Sequence, residues 1–496
     1  MAVRIGHHWG GRFLDCQIDS IMSQAPNILL FLMDAAQASA FEPGSPCLTP
    51  NFDRLRRRGL TFDRCYAPSP TCSPSRASFM TGLYAHNHGV LEVEHGRDPD
   101  QCLLRTEHPH FAQHLAEAGY QTGFFGKWHI ERTNQVADFG WQTSVVKGAE
   151  HHANLGKGQD GGAASADPHL CGYLEQPDGY KKLLHWGVTD VPPEERYPHF
   201  TVGCGLDFIA NADAGSPWCA ACSFSEPNET LILSRSTFGR YDPQSMPMPS
   251  NFNDDLSLRP NIYKRQRLIA SGLNEEHWRM ARTCYFGRIT ELDDQFGRLL
   301  DHLEASGEIE NTVIVVSADH GRYVGAHGFD AHNFGGFEEI YRVPLIVAGP
   351  GITAGTCRAT VNLHDLCPTL CELGQAKAIW SPDSKSLLPQ MRDPNTDAGI
   401  AYSENHGTRY RLTQRVLWDG PWKFVFNGFD FDELYDLDSD PDESVNLAGE
   451  PEHQERCRSM MKAVWDRVRD TGDRTLLETH YFSMRLGIVG PEWQSP

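Results

Sequence analysis

The chain alternates short unbroken apolar runs with longer stretches in which apolar residues return every three or four positions. NILLFLM at 27–33 is such a run and closes on Asp34; a strand with no polar alternation is one buried on both faces. It needs helices around it. The stretch from Thr49-Pro50 through NFDRLRRR to Gly59 supplies one, with a capping threonine, a first-turn proline and a glycine stop. A second helix is expected over residues 109–118, before Gly119, and YQTGFF at 120–125 reads as the next strand. The longest helical pattern covers residues 285–304 with Gly307 beyond it, and leads into TVIVVS at 312–317; VPLIVA at 343–348 follows. This alternation predicts an α/β fold with a largely parallel central sheet.

Two stretches interrupt it. Residues 142–200 are rich in Gly, His and Asp, and residues 229–275 in Pro, Ser and Asn; both read as long surface excursions that shape a substrate rim, with His151-His152 in solvated loop. From Asp383 the pattern shifts to short strands such as WKFVF at 422–426 and a final helix over about residues 451–469. Met22 opens MSQAPNILLFLMD, so residues 1–21 read as an extension outside the core. The expected division is therefore a large catalytic domain over 22–382 and a smaller C-terminal α+β domain over 383–496, with a short antiparallel sheet and a terminal helix.

Composition narrows the classes. At 496 residues and 40% hydrophobic the chain can bury a sizeable core. Acidic residues outnumber basic ones 65 to 44, for a formal charge of -21, which opposes a nucleic-acid partner. The first twenty residues lack an apolar signal core, no stretch reads as a membrane span, and the 14 cysteines are scattered rather than arranged as a small disulfide scaffold. The expectation is a cytoplasmic protein with reduced thiols, its oligomeric state left open between monomer and homo-oligomer. WCAAC at 218–222 has the look of a redox pair, but it runs directly into CSFSEP, which reads as a strand and its exit loop, so both cysteines are taken as structural.

The chemistry gathers at strand ends. Asp34 follows the first strand, and Asp319 with His320 follows the strand at 312–317. In open parallel sheets ligands collect at the carboxyl ends of strands. Two carboxylates and an imidazole there would hold a hard divalent cation such as calcium, manganese or magnesium. CSPSR at 72–76 opens a further helix, with the cysteine expected to point outward at its positive end, where a reactive group could meet an anion.

CSPSRASFMTG resembles the signature of the sulfatase family, Cys-x-Pro-Ser-Arg followed by Thr-Gly. NILLFLMD, GKWH at 126–129, SADHG at 317–321, YRVPLIVAGPG, DLCPTL and ELYDLDSDPDESVNL match further landmarks of that family in order, over about residues 24–450. The resemblance implies the alkaline phosphatase-like fold and hydrolysis of the sulfate ester of a small molecule. It implies that a formylglycine-generating maturation enzyme oxidises Cys72 to formylglycine, whose hydrated aldehyde is the nucleophile. It assigns the metal shell to Asp34, modified Cys72, Asp319 and His320, the aldehyde contact to Arg76, the sulfate contact to Lys127, and hydrogen bonding and base catalysis to His129. Asn87, in YAHNHG, would line the same pocket.

The chain also departs from the family. One acid, Asp34, stands where many members have two, followed by Ala35-Ala36-Gln37. In SFSEPNET, Asn228 stands where the family has the histidine that protonates the leaving oxygen, and an amide cannot supply that proton. By count, Asn333 replaces a lysine that meets the sulfate, with His327 and His332 nearby as compensating groups. These changes point to an unusual substrate: one with a good leaving group, a different bond such as a sulfamate, or a cationic or hydroxyl-bearing organic group. Two rivals remain open: a phosphonate monoester or phosphodiester hydrolase of the same superfamily, and a catalytically silent binding protein.

Overall fold

The computed structural model describes residues 25–96, 103–147, 166–174, 179, 182–228, 230–408, 412–478 and 487–492. The expected extension over 1–21 and the His151-His152 pair lie outside these. The strands in chain order are β1 (Asn27–Asp34), β2 (Leu60–Tyr66), β3 (Gln121–Gly126), β4 (Thr143–Val146), β5 (Ala166–Leu174), β6 (Leu183–Thr189), β7 (Trp218–Pro227), β8 (Leu231–Ser234), β9 (Thr312–Ala318), β10 (Leu345–Ala348), β11 (Gly355–Asn362), β12 (Ala401–Asn405), β13 (Gln414–Asp419), β14 (Trp422–Asn427) and β15 (Glu433–Asp436).

Eight of them form one sheet in the order β11-β2-β10-β9-β1-β7-β3-β4. All its pairings are parallel except those of β10, which runs antiparallel to both neighbours. Every residue of β1 is buried, as its unbroken apolar run requires of a strand covered on both sides. Helix α1 (Pro50–Arg58) and the helices Tyr197–Ala210 and Glu275–Ser306 make one packed group; α2 (Cys72–Thr81), α4 (Phe111–Glu117) and Leu366–Leu373 make another. A four-residue helix α3 (Ala85–His88) lies between α2 and α4 in sequence. Phe31 of β1 packs against Phe52, Phe224 and Phe296, with ring centroids 5.7, 4.4 and 5.2 Å away. Burial of each such ring stabilises the fold by about 2 kcal/mol.

The helix expected at 285–304 starts ten residues earlier, at Glu275, because Asn274 caps it by accepting from the His277 amide at 2.8 Å. The two stretches read as surface excursions contain regular structure among the described residues. β5 and β6 pair antiparallel, β8 adds parallel to β6, and this three-stranded sheet lies over the long helix. Polar residues between its short apolar runs hide it from a periodicity reading.

WCAAC lies within β7, with Cys219 and Cys222 fully buried. Burial pushes the Cys222 thiol up to about 12, and both cysteines sit inside a strand and not at the start of a helix, as structural residues do. All cysteines among the described residues are free. Among the described residues no helix is long and apolar enough to cross a membrane.

Beyond residue 383 an antiparallel sheet, β12-β13-β14-β15, carries the helix Gln454–Thr471. It is tied closely to the larger part: Trp418 stacks on Tyr66 at 4.1 Å, and Asn362 exchanges hydrogen bonds with the Tyr402 backbone at 3.0 and 3.1 Å.

Candidate active site

The four adjacent strands β9-β1-β7-β3 run in the same direction, so their carboxyl ends meet along one edge. The register is close: Met33 lies opposite Ala318, Asp34 opposite Pro227, and Gly126 opposite Ser223. The residues at or just past these ends are Asp34, Asp319 and His320, Asn228, and Lys127. Parallel pairing therefore places two acids, an imidazole, an amide and an ammonium together, although up to 286 positions separate them in the chain.

Cys72 opens α2 directly beneath this edge. The residue expected to point outward is 3% exposed, because all ten residues of α2 are buried. Its Sγ lies 3.1 Å from His320 Nε2, 3.6 Å from Asp34 Oδ1, and 3.9 Å from both His332 Nε2 and Asn228 Nδ2. Burial and then the Asp34 charge hold the unmodified thiol well above its ordinary range.

Arg76, one turn along α2, is 1% exposed. Its Nε donates to Asp319 Oδ2 at 2.6 Å, Nη1 to Ser223 Oγ at 2.7 Å and the Lys127 carbonyl at 3.1 Å, and Nη2 to the Phe224 carbonyl at 3.1 Å. The guanidinium thus joins the ends of β3, β7 and β9. Lys127 Nζ donates to Asp34 Oδ2. Burial disfavours charge on both bases, but Asp319 beside Arg76 and Asp34 beside Lys127 outweigh it and raise both. Burial likewise opposes the Asp319 carboxylate, and His320, Arg76 and Lys127 together keep it below its usual range.

The donor set fits a divalent cation. Each acid spends one oxygen on a fixed base, leaving Asp34 Oδ1 and Asp319 Oδ1 turned toward His320 Nε2, at 3.5 and 3.6 Å. His320 Nδ1 lies 2.8 Å from the Gly321 carbonyl, which fixes the proton there and frees the Nε2 lone pair. Asp34, Cys72, Asp319 and His320 offer ligand atoms all within 4.8 Å of one another. The missing second acid after Asp34 has a structural counterpart. Ala35 adopts a left-handed backbone, φ 63°, and its amide donates to Asp319 Oδ1 at 3.2 Å.

His129 also has a left-handed backbone, φ 57°. Its Nε2 meets His95 Nδ1 at 3.1 Å, whereas Nδ1 is buried without a hydrogen-bond partner among the described residues. Burial, then the Lys127 charge, hold this ring well below the usual histidine range, so it is neutral at pH 7.

Other expected residues are placed differently. Asn87 does not join the cluster: its Nδ2 donates to Asp383 Oδ2 at 2.8 Å and to the Thr471 carbonyl at 2.9 Å, tying α3 to the C-terminal part. Gly82, at φ 71°, turns the chain that way, and a Cβ there would stand 2.7 Å from Ser384 Oγ. Of the pair His332 and Asn333, His332 reaches Cys72, stacking on His320 with centroids 4.3 Å apart. Asn333 is buried at φ 76°, its Oδ1 without a partner among the described residues. His327 is engaged elsewhere, by Asp254 at 2.8 Å and by stacking on Phe337. Asn228 does face Cys72, and its orientation comes from a residue the sequence reading passed over. Arg322 Nη1 donates to Asn228 Oδ1 at 3.1 Å, while Asp330 holds the same guanidinium through both its oxygens at 3.2 and 2.7 Å. Arg322 stands two residues after His320, so its position was visible; its role needed Asp330.

Known proteins resemble this chain over most of its length. A choline-sulfatase of Rhizobium meliloti is 27% identical over 483 residues, covering 89% of this chain and 87% of the relative. An arylsulfatase of Clostridium perfringens is 25% identical, covering 88% of this chain and 93% of the relative. A solved phosphonate monoester hydrolase of Agrobacterium radiobacter shares the fold at TM-score 0.74 and 21% identity, covering 90% of this chain and 96% of that one. The sulfatase family model matches residues 26–376, a span that contains Asp34, Cys72, Arg76, Lys127, Asp319 and His320. The chain belongs to the sulfatase family of sulfuric ester hydrolases, built on the alkaline phosphatase-like fold.

Proposed function

We propose that the chain hydrolyses the sulfate ester of a small organic molecule, with Cys72 converted to formylglycine and a calcium or manganese ion, magnesium being the third choice, held by Asp34, residue 72, Asp319 and His320. The observation that carries this reading is the buried ring of ligand atoms around Cys72, backed by Arg76 and Lys127. The bound ion would withdraw charge from a sulfate oxygen and sharpen the attacking hydroxyl. Formylglycine would supply a hydrated aldehyde, with one hydroxyl to displace the alcohol from sulfur as the ester S–O bond breaks, and a second whose loss of a proton would let the carbonyl re-form as the C–O bond to sulfate breaks.

The remaining work falls to the side chains. Lys127 presents an ammonium to the sulfate oxygens, and Arg76 holds the Asp319 carboxylate and the strand ends in place. His129, neutral with an unpaired Nδ1, takes a proton there. Asn228 donates its amide to the departing oxygen without protonating it, which favours alcohols that leave easily. His332 stands where an anionic oxygen would approach, on the His320 side of Cys72. The proposed setting is cytoplasmic, on the scatter of the 14 cysteines along the sequence.

The test is to co-express the chain with a formylglycine-generating enzyme, read the Cys72 peptide by mass spectrometry, measure bound metal, and assay sulfate, sulfamate and phosphonate esters side by side. Exchange of sulfur for oxygen at residue 72, stoichiometric metal and preferential sulfate turnover would support the proposal. Faster phosphonate turnover would favour the rival hydrolase. A plain thiol and no bound metal despite active maturation would leave a binding protein.

A further inference from the structure

Beside Cys72 lies a second set of ligand atoms that the proposed reaction does not use as ligands. The short turn Glu94–Gly96 presents Glu94 and His95 to His129. His95 Nδ1 is 3.1 Å from His129 Nε2 and 3.4 Å from Glu94 Oε1, and His129 Nε2 is 3.7 Å from Glu94 Oε1. In a tetrahedral zinc site with bonds of roughly 2.0–2.1 Å, neighbouring ligand atoms stand roughly 3.3 Å apart. The three atoms therefore already outline one face of such a tetrahedron.

The surroundings suit an ion. Arg132 Nε lies 3.5 Å from Glu94 Oε2 and donates to the Glu94 carbonyl at 2.9 Å, so Oε1 is the oxygen turned toward both rings. The Glu94 amide donates to Ser73 Oγ at 3.2 Å, which ties the turn to the residue after Cys72. The His95 side chain is 69% exposed, leaving an open approach for an ion and a fourth position for water. Two imidazoles and one carboxylate select a borderline metal, whereas the oxygen-rich Asp34 set takes a harder one.

We propose that Glu94, His95 and His129 form an inhibitory zinc site. The inhibitory part rests on the reading of His129 as the base. A neutral imidazole has one lone pair in its ring plane. Zinc on Nε2 occupies that pair and leaves the ring proton on Nδ1, the atom that would otherwise accept a proton from the reacting group. Zinc thus replaces the His95–His129 hydrogen bond and removes the base without touching the metal shell at Asp34.

The test uses the matured enzyme saturated with calcium, titrated with zinc chloride, alongside His95→Ala. His95 meets the base His129 through the 3.1 Å hydrogen bond, so the zinc sensitivity of each protein is read relative to its own zinc-free turnover. The parent should be inhibited at a zinc concentration about tenfold or more below that needed for the variant, the scale expected when a ligand is lost. Anomalous scattering at the zinc edge should place the ion among Glu94, His95 and His129. Equal zinc sensitivity in both proteins, or zinc found only in the Asp34 shell, would overturn the site. Zinc bound at the three residues with turnover unchanged would overturn the inhibitory role and count against His129 as the base. If the matured protein turned over no sulfate ester, the scattering experiment would still decide the site independently of the proposed reaction.

Discussion

Arg76→Lys isolates what the guanidinium contributes beyond its charge. Arg76 makes four hydrogen bonds of 2.6–3.1 Å to acceptors on Asp319, Ser223, Lys127 and Phe224. A lysine ammonium keeps the charge and can hold the Asp319 carboxylate, but a single nitrogen cannot span acceptors at the ends of three strands. Three bonds to buried neutral acceptors are lost. At about 1–1.5 kcal/mol each, the variant should lose about 3–4.5 kcal/mol of stability. Ser223→Ala, which removes one of those partners, should cost about 1 kcal/mol. Urea unfolding of the parent and both variants reads this, and metal affinity by calorimetry reads the second consequence, since a loosened Asp319 binds the cation less well. A loss in Arg76→Lys below about 1 kcal/mol, with full metal affinity, would refute the idea that the planar fork clamps the strand ends.

Three further outcomes are expected. Asn228→His should raise kcat/KM for alkyl sulfates by about a hundredfold while leaving nitrophenyl sulfate nearly unchanged, because a general acid helps most where the alcohol leaves reluctantly; an unaltered dependence of rate on leaving-group pKa would count against the position of Asn228. His86 faces Glu404 through Nδ1 and the Thr471 carbonyl through Nε2. Burial opposes its charge, but Glu404, Asp473 and Asp383 outweigh that and lift it to about 9. With the folded pKa raised, its contribution of roughly 3 kcal/mol is fully present below the unfolded value near 6.5 and is lost as pH rises through about 9. His86→Gln should flatten the decline in urea stability between pH 7 and pH 10, and an unchanged decline would show that another group sets it. Because Cys72 is only 3% exposed, the maturation enzyme should modify the urea-unfolded chain and leave the folded thiol untouched, as mass spectrometry of the Cys72 peptide would record; equal modification of both would mean that α2 opens readily.

The parts of the site that could be read from sequence are those fixed by local chemistry. An apolar run ending in an acid marks the carboxyl end of a buried strand, which located Asp34, and the same logic located Asp319 and His320 after β9. Lys127 and Arg76 came from motif resemblance, and the structure brings Arg76 to Asp319 and Lys127 to Asp34. Asn87 was legible as a motif but not as a direction: a left-handed turn at Gly82 sends α3 to Asp383, nearly three hundred positions away. The choice between His332 and Asn333 depended on counting through a loop with no period. Positive φ angles at Ala331 and Asn333 set the loop's path and leave His332 stacked on His320.

The sequence by itself determined the alternation of strand and helix, the acids at strand ends and the cysteine at the start of α2, because each depends on neighbours a few residues away. Tertiary structure alone decided which loop side chains complete the site: Asn228 aimed by Arg322 and Asp330, His332 rather than Asn333 at Cys72, and Glu94 with His95 against His129. Parallel pairing of four strands collapses long separations into a few ångströms, and the backbone angles of irregular loops choose the occupants. Neither the pairing partners nor those angles leave a periodic trace in the chain.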